Sequence, residues 1–140
     1  MIVDGRNIAS EILAEVKANI APRTPVVRAI TIRPTSATES YLRIKMQSAE
    51  EAGMRLDVVR LPEEASEDQV IEAIRADGAD AVIVQLPIPG TLSWERILHE
   101  IPLEKDADVL SDAAYLRFEQ GEEGALVPPV AAGVLEILAR

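Results

Sequence analysis

Ala81-Val82-Ile83-Val84-Gln85-Leu86-Pro87-Ile88-Pro89-Gly90 is the stretch whose reading decides the fold. Its first four residues are apolar without a polar break, the pattern of a strand covered on both faces in a parallel sheet. Gln85 stands where that strand ends, and two prolines stiffen the loop that follows. Working upstream, Ser66-Glu67-Asp68-Gln69 is a capping box opening a helix that ends near Gly78. Residues 56–61 read as a strand. Before them, Ser36-Ala37-Thr38-Glu39 is a second capping box, for a helix running to about Ala52 and stopped by Gly53. Residues 26–32 are a β-rich run. Residues 8–20 carry Ile8, Ile12, Leu13, Val16 and Ile20 on one side of an amphipathic helix that Pro22 and Pro25 terminate. Downstream, residues 93–100 suggest a short helix, 105–124 are mostly irregular and acidic, and 130–139 are apolar and helical.

Strands separated by helices imply right-handed βαβ crossovers and an α/β fold. The expectation is one domain over residues 1–140: a small, mostly parallel sheet flanked by helices in three layers. Ligands on such sheets sit beyond the carboxyl ends of the strands. The start of the 38–52 helix and the residues after Val84 therefore matter most.

Composition narrows the function. Hydrophobic residues make up 48% of the 140-residue chain and aromatics only 3%, so the core must be aliphatic. The absence of cysteine removes disulfides, thiolate metal sites and a cysteine nucleophile, and suits a cytoplasmic protein. A net charge of -10 without a basic cluster opposes nucleic-acid phosphates. The opening MIVDGRNIASEILAEV lacks a signal-peptide pattern, and no apolar run is long enough to span a membrane.

Three segments can carry chemistry. In Tyr41-Leu42-Arg43-Ile44-Lys45, Tyr41 and Lys45 are four apart and share a helix face. Helical side chains lean toward the N-terminus, so Lys45 can reach back to the strand ends. Leu42, Met46 and Ala49 form the expected core stripe beside them. The plainer reading is a lysine snorkelling past a half-buried tyrosine. Gln85 either faces a ligand or satisfies loop backbone. In Lys105-Asp106-Ala107-Asp108, one of two acids can turn inward, or both can lie in a solvated loop. His99, on a short amphipathic helix, reads as a surface or helix-end residue, and Trp94 and Phe118 as packing residues.

Taken in order, these segments resemble the catalytic domain of the methylenetetrahydrofolate dehydrogenase/cyclohydrolase family. The carriers are Asp4-Gly5-Arg6-Asn7-Ile8-Ala9, Ser36 to Tyr41 with Lys45, Ala49-Glu50-Glu51-Ala52-Gly53, Val84-Gln85-Leu86-Pro87-Ile88-Pro89 and Lys105-Asp106-Ala107-Asp108. The resemblance implies that Lys45 is the catalytic lysine and that Gln85 orients it. It implies that Tyr41 packs against a folate ring and that Asp108 holds the pterin. Chemistry agrees with those roles. A carboxylate can accept the parallel N–H donors of an amino-pyrimidinone edge, and a flat ring favours an aromatic partner. An amine partly out of water gives up its proton more readily and can move protons near neutral pH. The family oxidises 5,10-methylenetetrahydrofolate by hydride transfer to NAD(P) and hydrolyses the 5,10-methenyl cation to 10-formyltetrahydrofolate.

Four departures stand out. Ile32-Arg33-Pro34 replaces the family's Val-Gly after the first strand. Val109 replaces the glycine after the second aspartate, and Pro128-Pro129-Val130-Ala131-Ala132-Gly133 replaces Pro-Cys-Thr-Pro-x-Gly. No G-x-G-x-x-G occurs among the glycines, so the NAD(P)-binding Rossmann unit is expected to be absent. Cyclohydrolase chemistry on a tetrahydrofolate derivative is then the most this chain alone is expected to perform. NAD(P) would need a further domain or a partner nucleotide-binding domain, and a homodimer is the other partner considered. Arg33 is a candidate contact for the folate's glutamate tail. The alternatives are a non-catalytic folate-binding or regulatory homologue and a bare α/β interaction module.

Overall fold

The computed structural model describes residues 3–140. Helix α1 (Gly5–Ile20) is capped by the Asp4 carboxylate, which accepts from the amides of Arg6 and Asn7. Strand β1 (Val26–Ile32) leads into α2 (Ser36–Glu51), β2 (Arg55–Leu61), α3 (Glu67–Arg75) and β3 (Ala81–Val84). Three further helices follow: α4 (Trp94–His99), α5 (Asp112–Glu119) and α6 (Pro129–Ala139), with a 3-10 turn at Leu103–Lys105 before α5. The sheet has three strands in the order β2-β1-β3, all parallel.

Strand parity divides the core. Ile30 and Ile32 of β1 and Val82 and Val84 of β3 pack on one face with Val70 and Ile74 of α3 and Ile97 and Leu98 of α4. The alternate residues Ala29 and Thr31 are buried on the other face, where Leu42, Ala49 and Ala52 supply the buried surface of α2 and its end. Helices thus cover both faces, as the sequence predicts. Burial of β3 alternates, with Val82 and Val84 enclosed and Ala81 and Ile83 half-buried, so its second face is covered less fully than the unbroken apolar run implies. The strand is short and borders the sheet, with only a bridge to Asp106 beyond it.

Arg28 locks α3 against the sheet. It is 8% exposed. Its guanidinium donates to the carbonyls of Ala76 (2.7 Å) and Asp77 (3.0 Å) past the end of α3 and to Asp57 (3.1 Å) on β2. A buried guanidinium is tolerated because its donors meet carbonyls that the helix end leaves free.

Several expectations change. Helix α2 begins one residue earlier than its supposed capping box: Thr35 is the N-cap and accepts from Thr38. Glu39, freed from capping, pairs instead with Arg60 of β2. The box at Ser66 and Gln69 forms as read, although its helix stops at Arg75. Residues 105–124 are not mostly irregular, because α5 occupies Asp112–Glu119. Its pattern is weakly amphipathic and buries only Ala114, whereas its Ser111 cap, accepting from Ala114, is explicit. Trp94 is 57% exposed rather than packed. Phe118 is half-buried, with its ring centroid 6.3 Å from that of Tyr115.

Candidate active site at the carboxyl ends of β1 and β3

The helices after β1 and β3, α2 and α4, lie on opposite faces of the sheet, so a crevice opens at the ends of these two adjacent strands. Gln85 is the first residue beyond β3. Its amide donates to the Ile30 carbonyl at 2.8 Å, which continues the ladder and fixes its parity. Val84 points into the α3–α4 core, so Gln85 points to the face covered by α2.

On α2, Lys45 rather than Met46 lies within the inward arc. At about 100° per residue, Lys45 falls between Ala52 and Ala49, on the same side as Leu42. Met46 lies past the edge of that arc and is 46% exposed, which removes it from the expected core stripe. The half-buried Lys45 amine donates to Gln85 Oε1 at 3.3 Å. The amide nitrogen of Gln85 donates to the Leu86 carbonyl at 3.2 Å, which turns its oxygen toward the lysine. Tyr41, one turn earlier, is 64% exposed and open to a flat ligand rather than half-buried.

The two acids of the last motif separate. Asp106 is 1% exposed. Its two carboxylate oxygens accept from the amides of Leu110 (3.1 Å) and Ser111 (2.8 Å). It therefore holds a turn. Asp108 lies within electrostatic reach of Lys45. Burial lifts its carboxyl above the ordinary value, Lys45 opposes the rise, and the Asp106 charge adds to it. Val109, the next residue, has φ 55 and is 5% exposed. Arg33, with φ 48, is the other left-handed non-glycine among the described residues, and its side chain pairs with Glu63. Both stand where the family pattern has glycine.

Sequence reading missed the turn-holding task of Asp106, which depends on a bridge to Val82 that no local pattern announces. It also missed an apolar groove of about 520 Å³ behind the Leu86–Pro87 loop, flanked by Trp94 and Tyr115. A larger cleft, about 600 Å³, lies between Arg33, Glu63 and the 87–92 loop and is lined by none of Lys45, Gln85 or Asp108. Size does not locate the chemistry here. An amine, an amide and a partly desolvated carboxyl converge elsewhere, at Lys45, Gln85 and Asp108.

The family described as "Tetrahydrofolate dehydrogenase/cyclohydrolase, catalytic domain" matches residues 3–108. The chain belongs to this family. Among curated relatives, it is 30% identical to the bifunctional protein FolD of Wolbachia sp. subsp. Drosophila simulans, aligned over 99% of this chain and 51% of that protein. Among solved structures, the Trypanosoma brucei N5,N10-methylenetetrahydrofolate dehydrogenase-cyclohydrolase, complexed with NADP and an inhibitor, superposes with a TM-score of 0.90. That match has 26% identity and covers 99% of this chain and 51% of the other. The silkworm 5,10-methylenetetrahydrofolate dehydrogenase gives a TM-score of 0.89 at 28% identity, covering 99% and 50% respectively. The chain thus spans about half the length of these relatives.

A dinucleotide does not fit the residues described. The turns from strand to helix run through 33–35, 62–66 and 85–93, and Gly90 is the only glycine in them. None offers a glycine-rich turn leading directly into a helix N-terminus to cradle a pyrophosphate. Among the described residues no cluster of His, Asp and Glu forms a metal site, and no helix is long and apolar enough to cross a membrane.

Proposed function

We propose that this chain hydrolyses 5,10-methenyltetrahydrofolate to 10-formyltetrahydrofolate, with Lys45 as the proton-handling group. The observation that carries the reading is the Lys45–Gln85 hydrogen bond of 3.3 Å at the strand ends, with Asp108 close enough to act on Lys45. Water adds to the electrophilic bridging carbon and loses a proton, and the bond from that carbon to N5 breaks. The Lys45 amine, oriented by Gln85, takes the proton from water and returns one to N5. Net, the cation and water give the formyl product and one released proton. Asp108 accepts from the amino-pyrimidinone edge of the pterin, and Tyr41 stacks on the ring system.

No hydride step is assigned to these residues, because they offer no seat for NAD(P). Oxidation of the methylene substrate would fall to a nucleotide-binding domain or partner. A cysteine-free chain suits a reducing compartment, and we assign the reaction to the cytoplasm.

The decisive assay follows loss of methenyl absorbance with wild type and Lys45→Met. Wild type should outpace buffer, and the variant should lose about 10²–10⁴-fold of that acceleration. Methionine fits the inward arc that Lys45 occupies, so the variant should melt no lower than wild type. Equal rates for the two proteins would remove Lys45 from the mechanism. Binding of a folate analogue without turnover would instead favour a non-catalytic homologue.

A further inference from the structure

Four polar or charged residues are buried among those described: Arg28, Thr31, Asp106 and Ser111. Three of them are satisfied. Arg28 donates to Asp57 and to carbonyls beyond α3, Asp106 accepts from two amides, and the Ser111 hydroxyl accepts from the amide of Ala114. Thr31 is 2% exposed, yet its hydroxyl has no hydrogen-bond partner among the described residues. No side-chain polar atom fully sealed from solvent is left without a partner among them, so the Thr31 oxygen keeps contact with open space. Valine has nearly the same shape and nothing to desolvate, so an unbonded hydroxyl at this place costs stability.

Register shows what the hydroxyl faces. Thr31 pairs with Arg60 of β2. On its other side β1 and β3 pair as far as Ile30 and Val84, and the Gln85 amide donates to the Ile30 carbonyl at 2.8 Å. The next rung therefore sets Thr31 beside Gln85. Strand parity turns Arg60, Thr31 and Gln85 to one face, the face covered by α2. The outer two are each tied to α2: Arg60 to Glu39 at 2.8 and 2.9 Å, and Gln85 to Lys45 at 3.3 Å. Thr31 stands between them. The hold on Gln85 is loose, because its side-chain bonds to Lys45 (3.3 Å) and to the Leu86 carbonyl (3.2 Å) are both longer than the usual length of about 2.9–3.0 Å. Its oxygen also has a second lone pair that Lys45 does not use.

We infer that Thr31 is a positioning residue of the proposed hydrolase, its hydroxyl donating through one water to the lone pair of Gln85 Oε1 that Lys45 leaves free. Neighbouring strands lie about 4.8 Å apart, a gap that one bridging water spans between two side-chain oxygens. Donation to Oε1 keeps the oxygen of the carboxamide, rather than its nitrogen, toward Lys45 and so keeps the amine aimed at the crevice. The catalytic consequence rests on the hydrolysis proposed above; the link from Thr31 to Gln85 does not.

Thr31→Val and Thr31→Ser separate this role from packing. Valine keeps the shape and removes the hydroxyl, so it should melt at least as high as wild type. It should lower kcat for methenyl hydrolysis about 10-fold and leave KM within about 2-fold. Serine keeps the hydroxyl and loses a buried methyl, so it should melt lower and yet hold kcat within about 2-fold of wild type. A packing role predicts the reverse order, with activity following stability, and that order overturns the inference. So does an equal kcat in wild type and Thr31→Val. A second readout needs no turnover. The chain has four glutamines, and the signal lost in Gln85→Met identifies the Gln85 side-chain amide by NMR. Hydrogen exchange of that amide should quicken several-fold in Thr31→Val and not in Thr31→Ser. A wild type that does not outpace buffer removes the hydrolase reading but not the link, which the exchange rates then decide. Unchanged exchange in Thr31→Val overturns the link itself.

Discussion

Lys45 and Gln85 stand on the middle of a sixteen-residue helix and the end of a sheet strand, whereas Asp108 stands in a turn whose next residue is a left-handed valine. The first pair is placed by periodicity: α2 turns Lys45 inward, and strand parity turns Gln85 to meet it. The Asp108 side is placed by particular contacts, namely the Asp106 carboxylate on two amides and a strained backbone at Val109. Regular elements hold the amine and its orienting amide rigidly. Asp108, the proposed pterin-binding acid, depends on a turn that a few substitutions can reset.

Removing Asp106 is the strongest way to break that contrast. Asp106→Ala leaves the Leu110 and Ser111 amides without their acceptor, the latter buried. The expected cost is about 2–4 kcal/mol, or about 10 °C in Tm. Asp106→Asn retains one acceptor oxygen and should lose less. Both should lower folate-analogue affinity by releasing Asp108, while Lys45 and Gln85 stay in place. An unchanged melting curve for Asp106→Ala would mean that the turn stands without the carboxylate.

Asp108→Asn should act in the opposite sense on stability. Burial raises the Asp108 carboxyl in the folded chain, so the ionised form is disfavoured there. The sign follows: the unfolded chain releases this proton first as pH rises, and stability falls between the ordinary aspartate value and the higher folded one. Below about pH 4 the group is protonated in both states and has no such effect. The asparagine variant should therefore melt higher than wild type at neutral pH, with the gap closing on acidification, and should bind the pterin more weakly. A gap that widens toward acid pH would contradict the assignment of a raised carboxyl.

Legibility in the sequence follows the same division. The strands, their parallel order and the inward reach of Lys45 follow from periods of about 3.6 and 2 residues. The choice between Lys45 and Met46 for the inner arc lies within one residue of helix rotation, and pattern alone placed Met46 wrongly. Residue pattern alone did not tell Asp106 from Asp108, which only the family resemblance separated, because their difference rests on a bridge to Val82, distant in sequence. Helix α5 escaped notice because its eight residues bury only Ala114, leaving a cap without an apolar stripe to announce it. Trp94 was placed inside on residue type, although α4 turns Ile97 and Leu98 inward and leaves the indole at the rim of a groove.

The smallest effects come from the two left-handed residues, which share a backbone conformation and differ in what their side chains do. A left-handed conformation costs a residue with a Cβ about 1–2 kcal/mol, and glycine returns part of that gain through the freedom of its unfolded chain. At Arg33 the side chain is exposed and its ion pair with Glu63 contributes little. Arg33→Gly should therefore raise stability by roughly 0.5 kcal/mol, about 2 °C in Tm. At Val109 the relief of strain is outweighed by the loss of a buried aliphatic group worth about 1.5–3 kcal/mol. Val109→Gly should thus lower stability by about 1 kcal/mol, although the turn keeps its backbone path. Opposite signs at two equally strained positions would show that packing of the side chain, rather than backbone strain, sets the cost of departing from glycine at each. A gain at both would mean that strain dominates at both, whereas a loss at both would mean that it dominates at neither.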